Sequence, residues 1–197
     1  MPIPHRYARM FSTSCKNQRP DSNARLKITR PAFIVAELPE PVAGWIQELR
    51  RQFEPAIAHL PAESTLAGSS DVGPLTPGQN LASIRHLLTT ALAGRLPFEA
   101  RFIGIGNFPG TDIFFAQPEA GPFNALHAAV IASGVKFGAS PFGYHAHCSL
   151  KGFTPLKPGQ REALASISVP VQPFAISTVA VYEMDSMQPA RLFSIAG

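Results

Sequence analysis

The chain has 197 residues, 45% of them apolar and 15% charged, which is enough for one domain with a full core and too apolar for a disordered protein. Its net charge of +4 is uneven: residues 1–30 carry Arg6, Arg9, Lys16, Arg19, Arg25, Lys27 and Arg30 against Asp21 alone, so the remainder is slightly acidic. This argues against a broad basic surface for duplex nucleic acid; no apolar run is long enough to span a bilayer, and two cysteines, Cys15 and Cys148, are too few for a disulfide framework or a Cys-rich zinc site.

Residues 1–30 lack an apolar period and read as a basic, disordered extension. Two alternatives stay open. The Arg- and Ser-rich, nearly acid-free composition suits a mitochondrial transit peptide, and the charge suits an arm that grips RNA. Cysteine usage points to a reducing, cytoplasmic setting; a transit peptide would move it to the mitochondrion. The expected folded unit is residues 31–197.

Residues 32–38 form a short apolar, β-favouring run closed by Pro39, a buried strand. Glu40-Pro41 opens a helix with Val42, Trp45, Ile46, Leu49 and Phe53 on its inner face and Gln47, Glu48, Arg50 and Arg51 on the other. Trp45 reads as core packing. A strand with Glu63 and Thr65 follows, then a turn-rich loop, residues 68–78, which reads first as a plain connection, with an anion cupped by its backbone N–H groups as the alternative. A helix spans 80–93, with His86 as a rim residue. Strands are expected at 98–105 and 112–116. A helix follows at 121–134, with His127 as a structural or exposed residue. After a turn-rich link comes a strand across 144–151, a short helix at 158–167, and closing strands at 174–182 and 191–195. Short strands in mixed order predict an α+β fold with antiparallel sheets.

The stretch Tyr144-His145-Ala146-His147-Cys148-Ser149-Leu150-Lys151 is the richest in chemistry. As a strand it turns His147, Ser149 and Lys151 to one face, and Ala146, Cys148 and Leu150 to the other. Residues 60–67 echo it: Glu63 and Thr65 share a face, backed by Ala62, Ser64 and Leu66. Each copy follows a helix and sets a titratable group two residues before a hydroxyl. The echo predicts an internal duplication, two lobes about a pseudo-twofold axis with a cleft between them and helices outside. Gly104-Ile105-Gly106 lacks the rest of a dinucleotide fingerprint, and no G-x-S-x-G elbow is present. His145 and His147 could pair on a metal, but no third ligand stands at a convincing spacing; neither metal nor cofactor is expected.

On His147-Cys148-Ser149-Leu150, the helix before it, the opening strand Phe33-Ile34-Val35 and the closing strand 178–183, the chain resembles the 2H phosphoesterase superfamily, near its 2′-5′ RNA ligase and cyclic nucleotide phosphodiesterase branch. The resemblance spans about residues 31–197. It implies two His-x-Thr/Ser motifs, one per lobe, and metal-free acid–base chemistry on a phosphodiester. The first motif departs from that pattern, because Glu63 stands where the family has histidine.

What the resemblance implies for the site is a catalytic pair, Glu63 and His147, with Thr65, Ser149 and Lys151 holding phosphate. A 2′,3′-cyclic phosphate or a related nucleotide or RNA end is the implied ligand; no obligate protein partner is evident. With an ordinary pKa of about 4.3, Glu63 would be an ionised base and His147 the acid. An ionised Glu63 would also repel phosphate, by roughly 4 kcal/mol at 4 Å and an effective dielectric of 20, which Lys151 or partial protonation of Glu63 must offset. The alternative is a non-catalytic nucleotide or RNA-end binding protein of the same fold.

Overall fold

The computed structural model describes residues 27–185 and 188–197. In chain order its elements are β1 (Ala32–Glu37), α1 (Val42–Phe53), β2 (Glu63–Ala67), β3 (Val72–Leu75), α2 (Leu81–Leu92), β4 (Phe98–Ala100), β5 (Phe102–Asn107), β6 (Phe114–Pro118), α3 (Ala120–Ile131), β7 (Phe137–Ala139), β8 (Cys148–Lys151), α4 (Gln160–Ala165), β9 (Phe174–Ile176), β10 (Thr178–Asp185) and β11 (Gln188–Ala196). The fold is α+β with antiparallel sheets, as the order of short strands predicts.

The larger sheet runs β11-β10-β1-β3-β7, with β2 also paired to β1. β1 is its centre. Its Ala32, Ile34, Val35 and Ala36 are all buried, as befits a strand covered on both faces. The second sheet is β5-β6-β8, and β4 and β9 form a separate pair. One continuous core joins the two halves, from Ile34 and Leu66 in the first to Phe123, Cys148 and Leu150 in the second. Trp45 packs against that core, its ring 5.7 Å from Phe102.

The duplication reaches the level of strand register. β1-α1-β2 and β6-α3-β8 are the same unit, with the last strand antiparallel to the first. In one, Val35 faces Thr65 and Ala36 faces Ser64. In the other, Phe115 faces Ser149 and Ala116 faces Cys148. Both ladders then slip by one residue: Ile34 faces Ala67 and Phe114 faces Lys151, leaving Leu66 and Leu150 as the extra residue of a β-bulge. The burial sequence from Glu63 to Ala67 repeats from His147 to Lys151.

The helices cross over. α1 packs on β8 and α3 packs on β2, so each motif strand is backed by a helix from the other repeat. Several expectations change. The folded part begins by residue 27, not 31: Ile28 is buried and its N–H donates to the Gln79 carbonyl at 3.0 Å. The rest of the basic segment, residues 1–26, lies outside the described residues. The loop at 68–78 contains β3, which pairs with β1 and β7. Asp71 N–H goes to the Phe142 carbonyl at 2.5 Å and is not free to cup an anion. No described helix is long and apolar enough to cross a membrane.

Candidate active site

Glu63 and Thr65 share a face of β2, and Thr65 Oγ1 donates to Glu63 Oε2 at 3.2 Å. A hydroxyl has one proton, so Thr65 can serve a phosphate oxygen only by releasing Glu63. Just past Thr65, Gly68 holds φ of +135°, and a side chain there would strike the Phe33 ring; glycine lets β2 end against β1.

Burial dominates Glu63 and pushes its pKa up to about 7, against the opposing pull of the Arg50 charge and the Thr65 hydroxyl. The carboxyl therefore titrates close to where an imidazole would. This corrects the sequence-based picture of an ordinary ionised glutamate.

His147 sits one residue ahead of β8, since only Cys148–Lys151 of the expected strand are paired. Its ring is walled by Phe108 and Phe115, with centroids at 5.2 and 5.4 Å. Phe115 comes this close because Gly106 opposite it has no side chain; a Cβ there would lie 2.4 Å from the ring. His147 Nδ1 lies 2.7 Å from the His145 carbonyl, which can only accept. Nδ1 thus carries the proton and Nε2 keeps its lone pair. Burial lowers the His147 pKa, opposed by that hydrogen bond and reinforced by His145.

β2 and β8 pack directly against one another. Cys148, on the inner side of β8, hydrogen-bonds with the backbone of Glu63, and burial pushes its thiol up to about 12. Cys148 is a packing residue. Tyr144 Oη lies within the field of Glu63, and burial, then the Glu63 charge, raises its pKa.

Lys151 is a correction. It is 1% exposed, and Nζ binds Glu54 Oε2 at 3.0 Å and the Thr154 hydroxyl and carbonyl at 2.6 and 2.8 Å. The bulge at Leu150 is the reason: it turns Lys151 away from the face of Ser149. Glu54 also accepts from the N–H groups of Gly152, Phe153 and Thr154. Burial pulls the Glu54 pKa up, but Lys151, Thr154 and these N–H groups bring it below the ordinary value. The Lys151 ammonium is thus committed to Glu54 and Thr154 rather than to phosphate.

Sequence reasoning missed two features around the motifs, the inward turn of Arg50 and the contacts that His127 makes with β2 and Asp71. Arg50, expected on the outer face of α1, is 3% exposed. Its position beside Leu49 and Phe53 carried no signal that a cation would turn inward. His127 of α3 is buried, with Nδ1 donating to the Leu66 carbonyl at 2.6 Å, Nε2 3.0 Å from Asp71 Oδ2, and its ring stacked on Tyr144 at 3.8 Å. Asp71 holds φ of +61° to reach it. His145 and His147 rings stand 6.2 Å apart, and no three His, Cys, Asp or Glu side chains gather as metal ligands among the described residues. His86 lines a hollow of about 500 Å3 between α2 and β11, away from both motif strands.

Two matched bulged strands, one per repeat, each present a titratable group and a hydroxyl. The family model of the 2′-5′ RNA ligase superfamily matches residues 38–187, a span that includes both motif strands. The chain belongs to that superfamily. Among solved structures it is similar to TT0787 of Thermus thermophilus, at 20% identity over 84% of this chain and 97% of that one, with a TM-score of 0.58. It is also similar to E. coli LigT in apo form, at 19% identity over 87% and 98%, TM-score 0.52. LigT complexed with 3′-AMP aligns at 20% identity over 85% and 97%, TM-score 0.50. At these identities the likeness establishes the 2′-5′ RNA ligase-like fold. No curated protein is a significant match to the sequence.

Proposed function

We propose that this protein is a metal-independent phosphodiesterase of the 2′-5′ RNA ligase-like type, opening a 2′,3′-cyclic phosphate on a nucleotide or RNA end. The observation that carries the reading is the juxtaposition of β2 and β8, in which Glu63–Thr65 and His147–Ser149 occupy equivalent places of two repeats. The nucleotide class is supported by the fold shared with E. coli LigT, a protein crystallised with 3′-AMP.

The electrostatics favour roles opposite to those read from the sequence. His147, neutral near pH 7 with its Nε2 lone pair available, is the general base. Glu63, about half protonated at pH 7, is the general acid. His147 Nε2 takes a proton from water. The water oxygen attacks phosphorus, one ring P–O bond breaks, and the departing ribose oxygen takes the Glu63 proton. The pair ends as imidazolium and carboxylate and resets by exchange with solvent. Thr65 and Ser149 hydroxyls hold non-bridging oxygens as charge develops. A neutral Glu63 also removes the repulsion that an ionised one would impose on phosphate.

The test is hydrolysis of 2′,3′-cyclic nucleotides by the purified chain and its His147→Ala variant. Turnover lost in the variant is expected; indistinguishable rates overturn the reading. Nucleotide binding without turnover in the unaltered protein would mark it instead as a nucleotide or RNA-end binder of the same fold.

A further inference from the structure

Arg50 is a buried cation whose hydrogen bonds all go to groups other than carboxylates. Nε donates to the Ser149 carbonyl at 2.9 Å, Nη1 to the carbonyls of Leu60 and Pro61 at 3.2 and 3.0 Å, and Nη2 lies 3.9 Å from Cys148 Sγ. Ser149 and Cys148 belong to β8; Leu60 and Pro61 lead into β2. One side chain therefore bridges β8 and the segment that leads into β2. Burying a guanidinium carries a desolvation cost of several kcal/mol. A neutral donor could satisfy these carbonyls more cheaply, so the charge itself asks for a role.

The geometry supplies one. Lys151, the other buried cation near the motifs, is neutralised by Glu54. Arg50 has no such neutralising partner among the described residues, and it is the group whose charge opposes the burial of Glu63. The planar guanidinium fork is rigid, so its carbonyl partners on β8 and on the entry to β2 are held at one spacing. The other repeat has a counterpart: His127 of α3 reaches the Leu66 carbonyl of β2, as Arg50 of α1 reaches the Ser149 carbonyl of β8.

We propose that Arg50 is a positioning residue for the phosphodiester chemistry: one buried guanidinium ties Ser149 to the entry of β2, fixes Glu63 and His147 relative to each other, and places a positive charge behind the anion they share. The inference rests on the proposed function, since positioning matters only if the pair acts on a phosphodiester. Other groups near Glu63 are Tyr144 and Cys148 from the β8 side and Thr65 on its own strand. Glu37 stands opposite it in register on β1, bound by Tyr182 Oη and Arg191.

The experiment uses Arg50→Met and Arg50→Lys in the full chain with two readouts. One is the 13C-carboxyl titration of Glu63, assigned with Glu63→Gln. The other is the pH–rate profile on 2′,3′-cyclic AMP. Arg50→Met is expected to move the Glu63 midpoint upward by about one pH unit or more, and to lower kcat about tenfold or more with a smaller change in KM. Arg50→Lys keeps the charge but loses the fork, so the midpoint stays near that of the unaltered protein while kcat still falls. Variants that match the unaltered protein in midpoint and kcat overturn the proposal. If Arg50→Met does not fold, unchanged kcat and KM in Arg50→Lys do the same. An unaltered protein that binds but does not turn over, with a Glu63 midpoint that still moves in Arg50→Met, sinks the enzymatic reading and leaves the electrostatic hold of Arg50 standing; a stationary midpoint sinks both.

Discussion

Thr65 on β2 and Ser149 on β8 occupy the same position of two ladders with matching register, one facing Val35 and the other Phe115, each followed by a bulged leucine. By the same equivalence Glu63 and His147, two residues earlier, hold matching positions in the two repeats, and the proposed function pairs them as acid and base. Because the bulges fall after the hydroxyls, each repeat presents only two residues on its motif face and buries the next two.

The pH dependence of turnover follows from the two titrations. His147 must be neutral, so activity rises as pH climbs through its lowered pKa, below 6.5. Glu63 must be protonated, so activity falls as pH climbs through about 7. A bell centred on the acid side of neutrality is expected in kcat/KM on 2′,3′-cyclic AMP. A profile that keeps rising through pH 8 would exclude Glu63 as the acid.

Replacing Glu63 by Gln removes the proton donor and keeps the shape. Turnover should fall by about 10²- to 10⁴-fold, and the residual activity should lose its alkaline limb. Glu63→His should retain more activity than Glu63→Gln, because an imidazole can again protonate the leaving oxygen. Steady-state kinetics of the two variants across pH separate these outcomes.

Stability carries the same signature. The Glu63 pKa is raised from 4.5 to about 7 in the folded state, so its favourable contribution is fully present below pH 4.5 and is lost as pH rises through 7. Relative to Glu63→Gln, the unaltered protein should lose about 3 kcal/mol between those limits. Urea melts of both proteins at pH 4.5, 6 and 8 measure it. A difference independent of pH would mean that Glu63 is not desolvated.

Lys151→Met should act on stability rather than on phosphate. It strands the buried Glu54 carboxylate, at a cost of about 3–5 kcal/mol. At a temperature where the variant remains folded, KM for 2′,3′-cyclic AMP should stay close to that of the unaltered protein. A KM raised by about tenfold or more, the loss expected of a direct ligand contact, would return Lys151 to the phosphate site.

Periodicity and local chemistry made much of this protein readable before its structure. The apolar run of β1, the helical spacing of Val42, Ile46, Leu49 and Phe53, and the echo between Glu63-Ser64-Thr65-Leu66 and His147-Cys148-Ser149-Leu150 are properties of neighbouring residues, and each marks an element or a motif that the fold contains. β3 and β7 stayed hidden in turn-rich segments because they form by pairing with β1 and with each other, not by their own propensity.

What alternation along the strand could not convey is the set of effects that depend on partners distant in the chain. A bulge is a property of two strands, so the turning of Lys151 toward Glu54 is invisible in either one alone. The inward turn of Arg50 depends on carbonyls from Leu60, Pro61 and Ser149. The proton affinity of Glu63 is likewise set by what surrounds it: a carboxyl in water and the same carboxyl packed between two repeats differ by the desolvation of its charge. Residue types marked the titratable groups of the two motifs; packing between the repeats sets their proton affinities.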